Sequence, residues 1–139
     1  MFKKILVATD GSENAARACV ETGRIAKAMD SEVTVAHVVY IPPMYRYDVG
    51  PGIERTLIED GERILEDSKR EVGASGIQAR TKLIREGNPA ERIVEEAEAG
   101  SYDLIVVGSG GLGRASALEL GSVSAGVSRL SRCSLLIVR

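Results

Sequence analysis

The residues with the most evident chemistry are Gly108 to Ser124, Gly-Ser-Gly-Gly-Leu-Gly-Arg-Ala-Ser-Ala-Leu-Glu-Leu-Gly-Ser-Val-Ser. An apolar run, Asp103 to Val107, precedes them, and a helical pattern of Val123, Val127 and Leu130 follows. The order is therefore strand, glycine loop, helix start. A helix start has unpaired N–H donors and a dipole of roughly +0.5 charge, so it attracts anions. Glycines let the backbone approach a ligand closely. Ser109, Ser116, Ser122 and Ser124 add hydroxyl donors, and Arg114 adds a positive charge. The chemistry indicated is phosphate binding; a plain loop is the alternative that this stretch alone leaves open.

Gly108, Gly110 and Gly113 also spell GxGxxG. A dinucleotide fingerprint needs that motif after the first strand, with a carboxylate about 20 residues on. Here it follows a late strand, and the chain near position 130 reads Leu-Ser-Arg-Cys-Ser. The NAD reading is rejected. The Gly-Lys-Ser/Thr ending of a P-loop is absent as well.

The elements that must position this loop follow in order. Lys4 to Thr9 reads as a strand. Asp10-Gly11-Ser12 is turn chemistry, with Ser12 suited to cap a helix running to about Met29. Glu32 to Val39 is a strand whose apolar character suits burial on both faces. Tyr40 to Gly52, with its prolines and tyrosines, reads as a long loop, either a lid or plain surface. Leu57, Gly61, Ile64, Leu65, Ser68 and Val72 mark one face of a second helix. Ile77, Ala79, Thr81 and Leu83 alternate as a strand near an edge. Asn88 and Pro89 start a third helix, with Ile93, Val94 and Ala97 inward. Its carboxylates Glu91, Glu95, Glu96 and Glu98 read as a solvated face. Leu135 to Val138 is a fifth strand.

Alternation of this kind predicts a single-domain α/β fold, spanning 1–139, with an open five-stranded parallel sheet and helices on both faces. In a Rossmann-like sheet of order 3-2-1-4-5, strands one and four flank the point where the order reverses, and ligands bind there. Ala8, Thr9, Asp10, Gly11 and Ser12 would then face the glycine loop across one crevice. Asp10 is a candidate ligand for a phosphate-bound metal ion, since magnesium favours carboxylates plus phosphate oxygens. It is equally a turn residue.

Composition bounds the partners. The chain has 139 residues, 27% charged, and a net charge of −2, with no basic excess to hold nucleic acid. No apolar run approaches a membrane span. Asp10 cuts short the apolar run near the N-terminus, so the expectation is a cytoplasmic protein. Cys19, Cys133 and His37 are too scattered for a protein-built zinc site.

Gly108, two residues, Gly111, nine residues, Gly121 and Ser122 resemble the nucleotide motif of the universal stress protein family. The opening Lys3 to Ser12, the strand Val35-Ala36-His37-Val38 and the ending Ser134 to Arg139 are also similar to that family. The resemblance spans the chain. It implies an adenine-nucleotide-alpha-hydrolase-like fold, an ATP site and a homodimer paired through Leu135 to Val138. It implies that Gly108, Gly111, Gly121, Ser122 and Ser124 surround phosphates and ribose, with Gly110, Gly113, Arg114 and Val123 in the same loop and helix start. It also implies that Ala8, Thr9 and Asp10 line the nucleotide, with Mg2+ or Mn2+ on the phosphates, and that Val38 offers its backbone to adenine. Family members often carry proline where Ala8 stands and histidine where Gly110 stands. The function implied is an ATP-dependent stress-response module with a protein partner not identified by sequence. The alternatives are a slow ATP hydrolase or a dimeric interaction protein with a vestigial site. Neither loop offers a histidine or lysine for rapid chemistry.

Overall fold

A computed structural model describes residues 1–41, 50–110 and 120–139. The described elements are β1 (Lys4–Ala8), α1 (Glu13–Met29), β2 (Glu32–Val38), α2 (Pro51–Gly73), β3 (Arg80–Ile84), α3 (Pro89–Ala99), β4 (Leu104–Gly108), α4 (Ser122–Leu130) and β5 (Ser134–Val138). The strands form one sheet in the order β3-β2-β1-β4-β5, with every pairing parallel.

The two-residue period of a strand sends alternate side chains to opposite faces. Ile5 and Val7 of β1 meet Ala18, Cys19 and Ala26 of α1 and Leu65 and Val72 of α2. Leu6 and Ala8 meet Ile93 and Ala97 of α3 and Val127 of α4 on the other face. Parallel crossovers are right-handed, so the helices of the leftward steps cover one face and those of the rightward steps the other. Two glycines bring each helix pair together. A Cβ on Gly23 would lie 2.4 Å from the Val72 carbonyl oxygen, between α1 and α2. One on Gly126 would lie 2.6 Å from Ala90 Cβ, between α4 and α3.

Two boundaries differ from the sequence expectation by more than one residue. α2 begins at Pro51, inside the stretch read as a loop, because Gly50 takes an extended N-cap conformation and proline suits the first helical turn. The remainder of that stretch, 42–49, lies outside the described residues. β3 starts at Arg80, since its first ladder partner on β2 is Thr34. Ile77 and Ala79 pack on the core without joining the ladder, and Thr81 is exposed at the sheet's outer edge. Two side chains also differ. Glu96 is 17% exposed and pairs with Lys82 at 2.7 Å, so it is not part of a solvated face. Leu130, the last residue of α4, is 45% exposed. Among the described residues no helix is long and apolar enough to cross a membrane.

Cys19 is fully buried, and burial pushes its thiol up to about 12. Cys133 is only partly covered. At pH 8 a water-soluble disulfide reagent is expected to modify Cys133 rapidly in the native protein and Cys19 only in denaturant. Rapid labelling of both native thiols would contradict the packing of α1 on the sheet. Helical Gly→Ala changes ordinarily stabilise by about 0.5–1 kcal/mol. Gly23→Ala and Gly126→Ala are each expected to destabilise instead, by about 1–3 kcal/mol of overpacking. Urea denaturation with unchanged slope gives the sign directly, and a stabilised variant would refute the close helix contact.

Candidate nucleotide cleft

β1 is followed by a step to β2 on one side, and β4 by a step to β5 on the other. The loops leaving β1 and β4 therefore diverge and leave a crevice between them. On the β1 side the turn is tightly held. Thr9 is 6% exposed, and its N–H donates to the Ala36 carbonyl at 2.9 Å. The Thr9 hydroxyl oxygen accepts from Ser68 Oγ at 3.0 Å and from the Gly11 N–H at 3.2 Å. Gly11 sits at φ +81°, where a side chain is strained. Asp10 Oδ1 accepts from the Ser12 N–H at 2.9 Å, and Ser12 Oγ accepts from the Ala15 N–H at 3.2 Å. Asp10 is thus a turn residue whose exposed carboxylate lines the crevice.

On the β4 side the chain is folded back on itself. Ser109 is fully buried, and its N–H donates to the Val138 carbonyl at 2.7 Å. Its carbonyl accepts from the Gly121 N–H at 2.7 Å and from Ser124 Oγ at 2.9 Å. These bonds return the start of α4 to the end of β4. Gly121 is the N-cap of α4 in extended conformation and gives it no side-chain cap. The amides of Ser122, Val123 and Ser124 have no acceptor within the helix, as in any first turn. Ser124 is 1% exposed, and its hydroxyl is engaged by the Ser109 and Gly121 carbonyls. That hydroxyl holds the loop; a ligand would meet the backbone of Ser124. Gly108 closes β4 against α1, where a Cβ would lie 2.9 Å from the Asn14 carbonyl carbon.

One open cleft of about 690 Å3 receives both sides, within the size range of small-molecule sites. Ala8, Thr9 and Asp10 line it from β1; Gly108 and Gly110 from β4; Gly121, Ser122, Val123 and Ser124 from α4. Val38 lines it from β2. Gly111, Gly113 and Arg114 lie outside the described residues. Ala36, Ala90 and Ile93 add an apolar wall, and Tyr40, Asn88 and Leu120 reach the rim. Sequence reading treated Asn88 only as a helix cap, which it also is, accepting from the Glu91 N–H at 3.2 Å. The signal available was position: the β3–α3 loop leaves the carboxyl end of a strand, on the same rim as the other two.

His37 also borders the cleft. Its Nδ1 lies 2.8 Å from the Thr9 carbonyl oxygen. A carbonyl only accepts, so Nδ1 carries the proton. The ring fits because Gly61 has no side chain; a Cβ there would lie 2.9 Å from His37 Cδ2. Among the described lining residues Asp10 is the only aspartate, glutamate, lysine or arginine. An anion here would be met by backbone amides and the α4 dipole. Among the described residues no group of three or more His, Cys, Asp and Glu is placed to hold a metal ion.

Comparison with known proteins agrees with this architecture. The chain is 35% identical to universal stress protein YxiE of Bacillus subtilis, over all of both chains. The solved structure of MJ0577 superposes with a TM-score of 0.87 at 30% identity, covering 99% of this chain and 96% of that one. A universal stress protein solved in complex with cAMP superposes with a TM-score of 0.74 at 29% identity, covering 99% and 97%. The universal stress protein family profile matches residues 1–139. With its five parallel strands in the order 3-2-1-4-5 and this match along its whole length, the chain belongs to the universal stress protein family.

Proposed function

We propose that this protein is an ATP-binding regulatory module that acts as a homodimer in the cytoplasmic stress response. The observation that carries the nucleotide reading is the meeting of two unlike loops on one cleft. The β1–α1 turn brings a buried, hydrogen-bonded backbone and a carboxylate, and α4 brings a glycine-led helix start with no side-chain cap. Such a start suits phosphate, and the small-residue wall of Ala8, Ala36 and Ala90 suits a flat base. A relative solved with cAMP supports the adenine class.

In this reading the backbones of Gly108, Gly121, Ser122 and Ser124 receive the phosphates and ribose. Gly110 and Val123 border them, with Gly111, Gly113 and Arg114 as further candidates on sequence grounds. Thr9 and Asp10 flank the sugar, and Val38 offers its backbone to the base. Asp10 would be the residue to hold Mg2+ or Mn2+, and the ion would supply positive charge that the described side chains do not. Bound ATP supplies a charged group whose presence a partner protein reads. Neither loop carries a histidine or lysine to act as base, so the reading is of slow hydrolysis at most.

The dimer reading rests on the two sheet edges. β3 exposes Arg80, Thr81 and Lys82, a charged edge that discourages pairing. β5 presents Leu135, Leu136, Ile137 and Val138, all half-buried. The Val138 carbonyl faces β4, where it accepts from Ser109. Successive residues of a strand turn their backbone groups to alternate sides, so Leu135 and Ile137 direct theirs outward.

Protein purified without added nucleotide, denatured and examined by mass spectrometry is expected to release an adenine nucleotide. Calorimetry with ATP, ADP and AMP in magnesium is expected to show ATP bound most tightly. Gly121→Val is expected to weaken ATP binding by at least about tenfold with circular dichroism unchanged, through loss of close phosphate approach. Unchanged ATP affinity in the folded variant would remove α4 from the site. Ile137→Pro deletes one outward N–H without touching the β4 ladder, and proline is tolerated at such an edge. Sedimentation is expected to show a dimer for the parent protein and a monomer for this variant. A dimer in both would place the interface elsewhere.

A further inference from the structure

Gly110 lies on the cleft wall, and its own conformational freedom is the greatest of any residue type. Its carbonyl nevertheless has a dedicated partner: Asn14 Nδ2, in the first turn of α1, donates to it. Asn14 is 9% exposed, and its other amide atom is also engaged, Oδ1 accepting from Arg17 Nη2. Arg17 Nε in turn donates to the Arg139 carbonyl at 3.1 Å, just past β5. The direction of the chain is forced. Guanidinium groups only donate and carbonyls only accept, so a reversed Asn14 amide would oppose like with like at both ends. Gly108 makes the arrangement possible, because a side chain there would strike the Asn14 backbone.

Resting on the nucleotide reading above, we propose that Asn14, oriented by Arg17, is a positioning residue for the phosphate half of the cleft. It fixes the ψ angle of Gly110 and so the direction of the Gly110 carbonyl at the cleft wall. Aspartate at position 14 would add charge near an anion, so the neutral Asn14→Ala is the informative change. Arg17→Lys keeps the charge but lacks the fork that spans the Asn14 and Arg139 oxygens. Arg17 is exposed, and this variant is expected to fold normally.

The test is calorimetric titration with ATP, and with adenosine in competition against ATP, on the full chain and both variants, alongside thermal unfolding. Asn14→Ala is expected to bind ATP about tenfold more weakly, the fold-change carried by one hydrogen bond of ordinary worth. Adenosine, which has no phosphates, is expected to bind as in the parent protein. Arg17→Lys is expected to lose ATP affinity in the same direction by a smaller factor. ATP affinity of folded Asn14→Ala within about twofold of the parent would overturn the role. So would an equal loss for adenosine, which would indicate general loosening of the cleft. If Asn14→Ala does not fold, Arg17→Lys decides, and parental ATP affinity in it overturns the role. A parent protein that takes up no ATP would instead fail the nucleotide reading itself, and the positioning role with it.

Discussion

The cleft depends on the backbone of Ser109. Its N–H is bonded to β5 through Val138, and its carbonyl holds both the Gly121 N–H and the Ser124 hydroxyl. The backbone of one buried residue therefore joins the end of β4, the end of β5 and the start of α4. Without those bonds the helix would still be amphipathic and would still pack on Ile93 and Ala90. Its N-terminus, however, would have no reason to stop at the switch point, and the dipole would have no defined target.

Burial explains why so few bonds suffice. Ser109 and Ser124 are 0% and 1% exposed, so breaking either contact would leave polar atoms without water to replace the partner. The same logic holds on the β1 side. Thr9 is buried at the end of β1 with its N–H, hydroxyl and carbonyl all engaged, the last by His37. Among the described residues both rims are built of groups whose hydrogen bonds have no substitute, which fixes Thr9 and Ser109 in place. The floor between them is made of small side chains, Ala8 and Ala36, so open space remains where two loops diverge.

The two sheet faces contribute differently. The α1–α2 face is closed through Gly23 and carries the buried Cys19 and Ser68, the latter donating to the Thr9 hydroxyl from behind. The α3–α4 face supplies the apolar wall and the uncapped helix start. Support and binding surface thus lie on opposite sides of the sheet.

Much of this was legible in the order of residues. Apolar runs of strand length alternating with helical spacing specified a parallel sheet, because runs such as Ile5 to Ala8 and Leu104 to Val107 suit burial on both faces. The strand order 3-2-1-4-5 came from the general Rossmann-like arrangement rather than from any residue pattern, and the pairings agree with it. Ser12 and Asn88 announced their helix starts through local side-chain chemistry, and both do cap. The spacing of Gly108, Gly121 and Ser122 marked the loop. What sequence could not decide were relations between distant segments. Asn14 reads locally as an ordinary residue of a helix, and only the approach of α1 to β4 at Gly108 gives its amide a carbonyl to hold. Ser124 reads as a free donor, and only the return of α4 to Ser109 engages its hydroxyl. Asn88 joins the rim because β3 ends beside β2. Local propensity and periodicity act over a few residues and belong to the sequence; which polar groups meet is settled when elements far apart in the chain are packed, and that belongs to the tertiary structure.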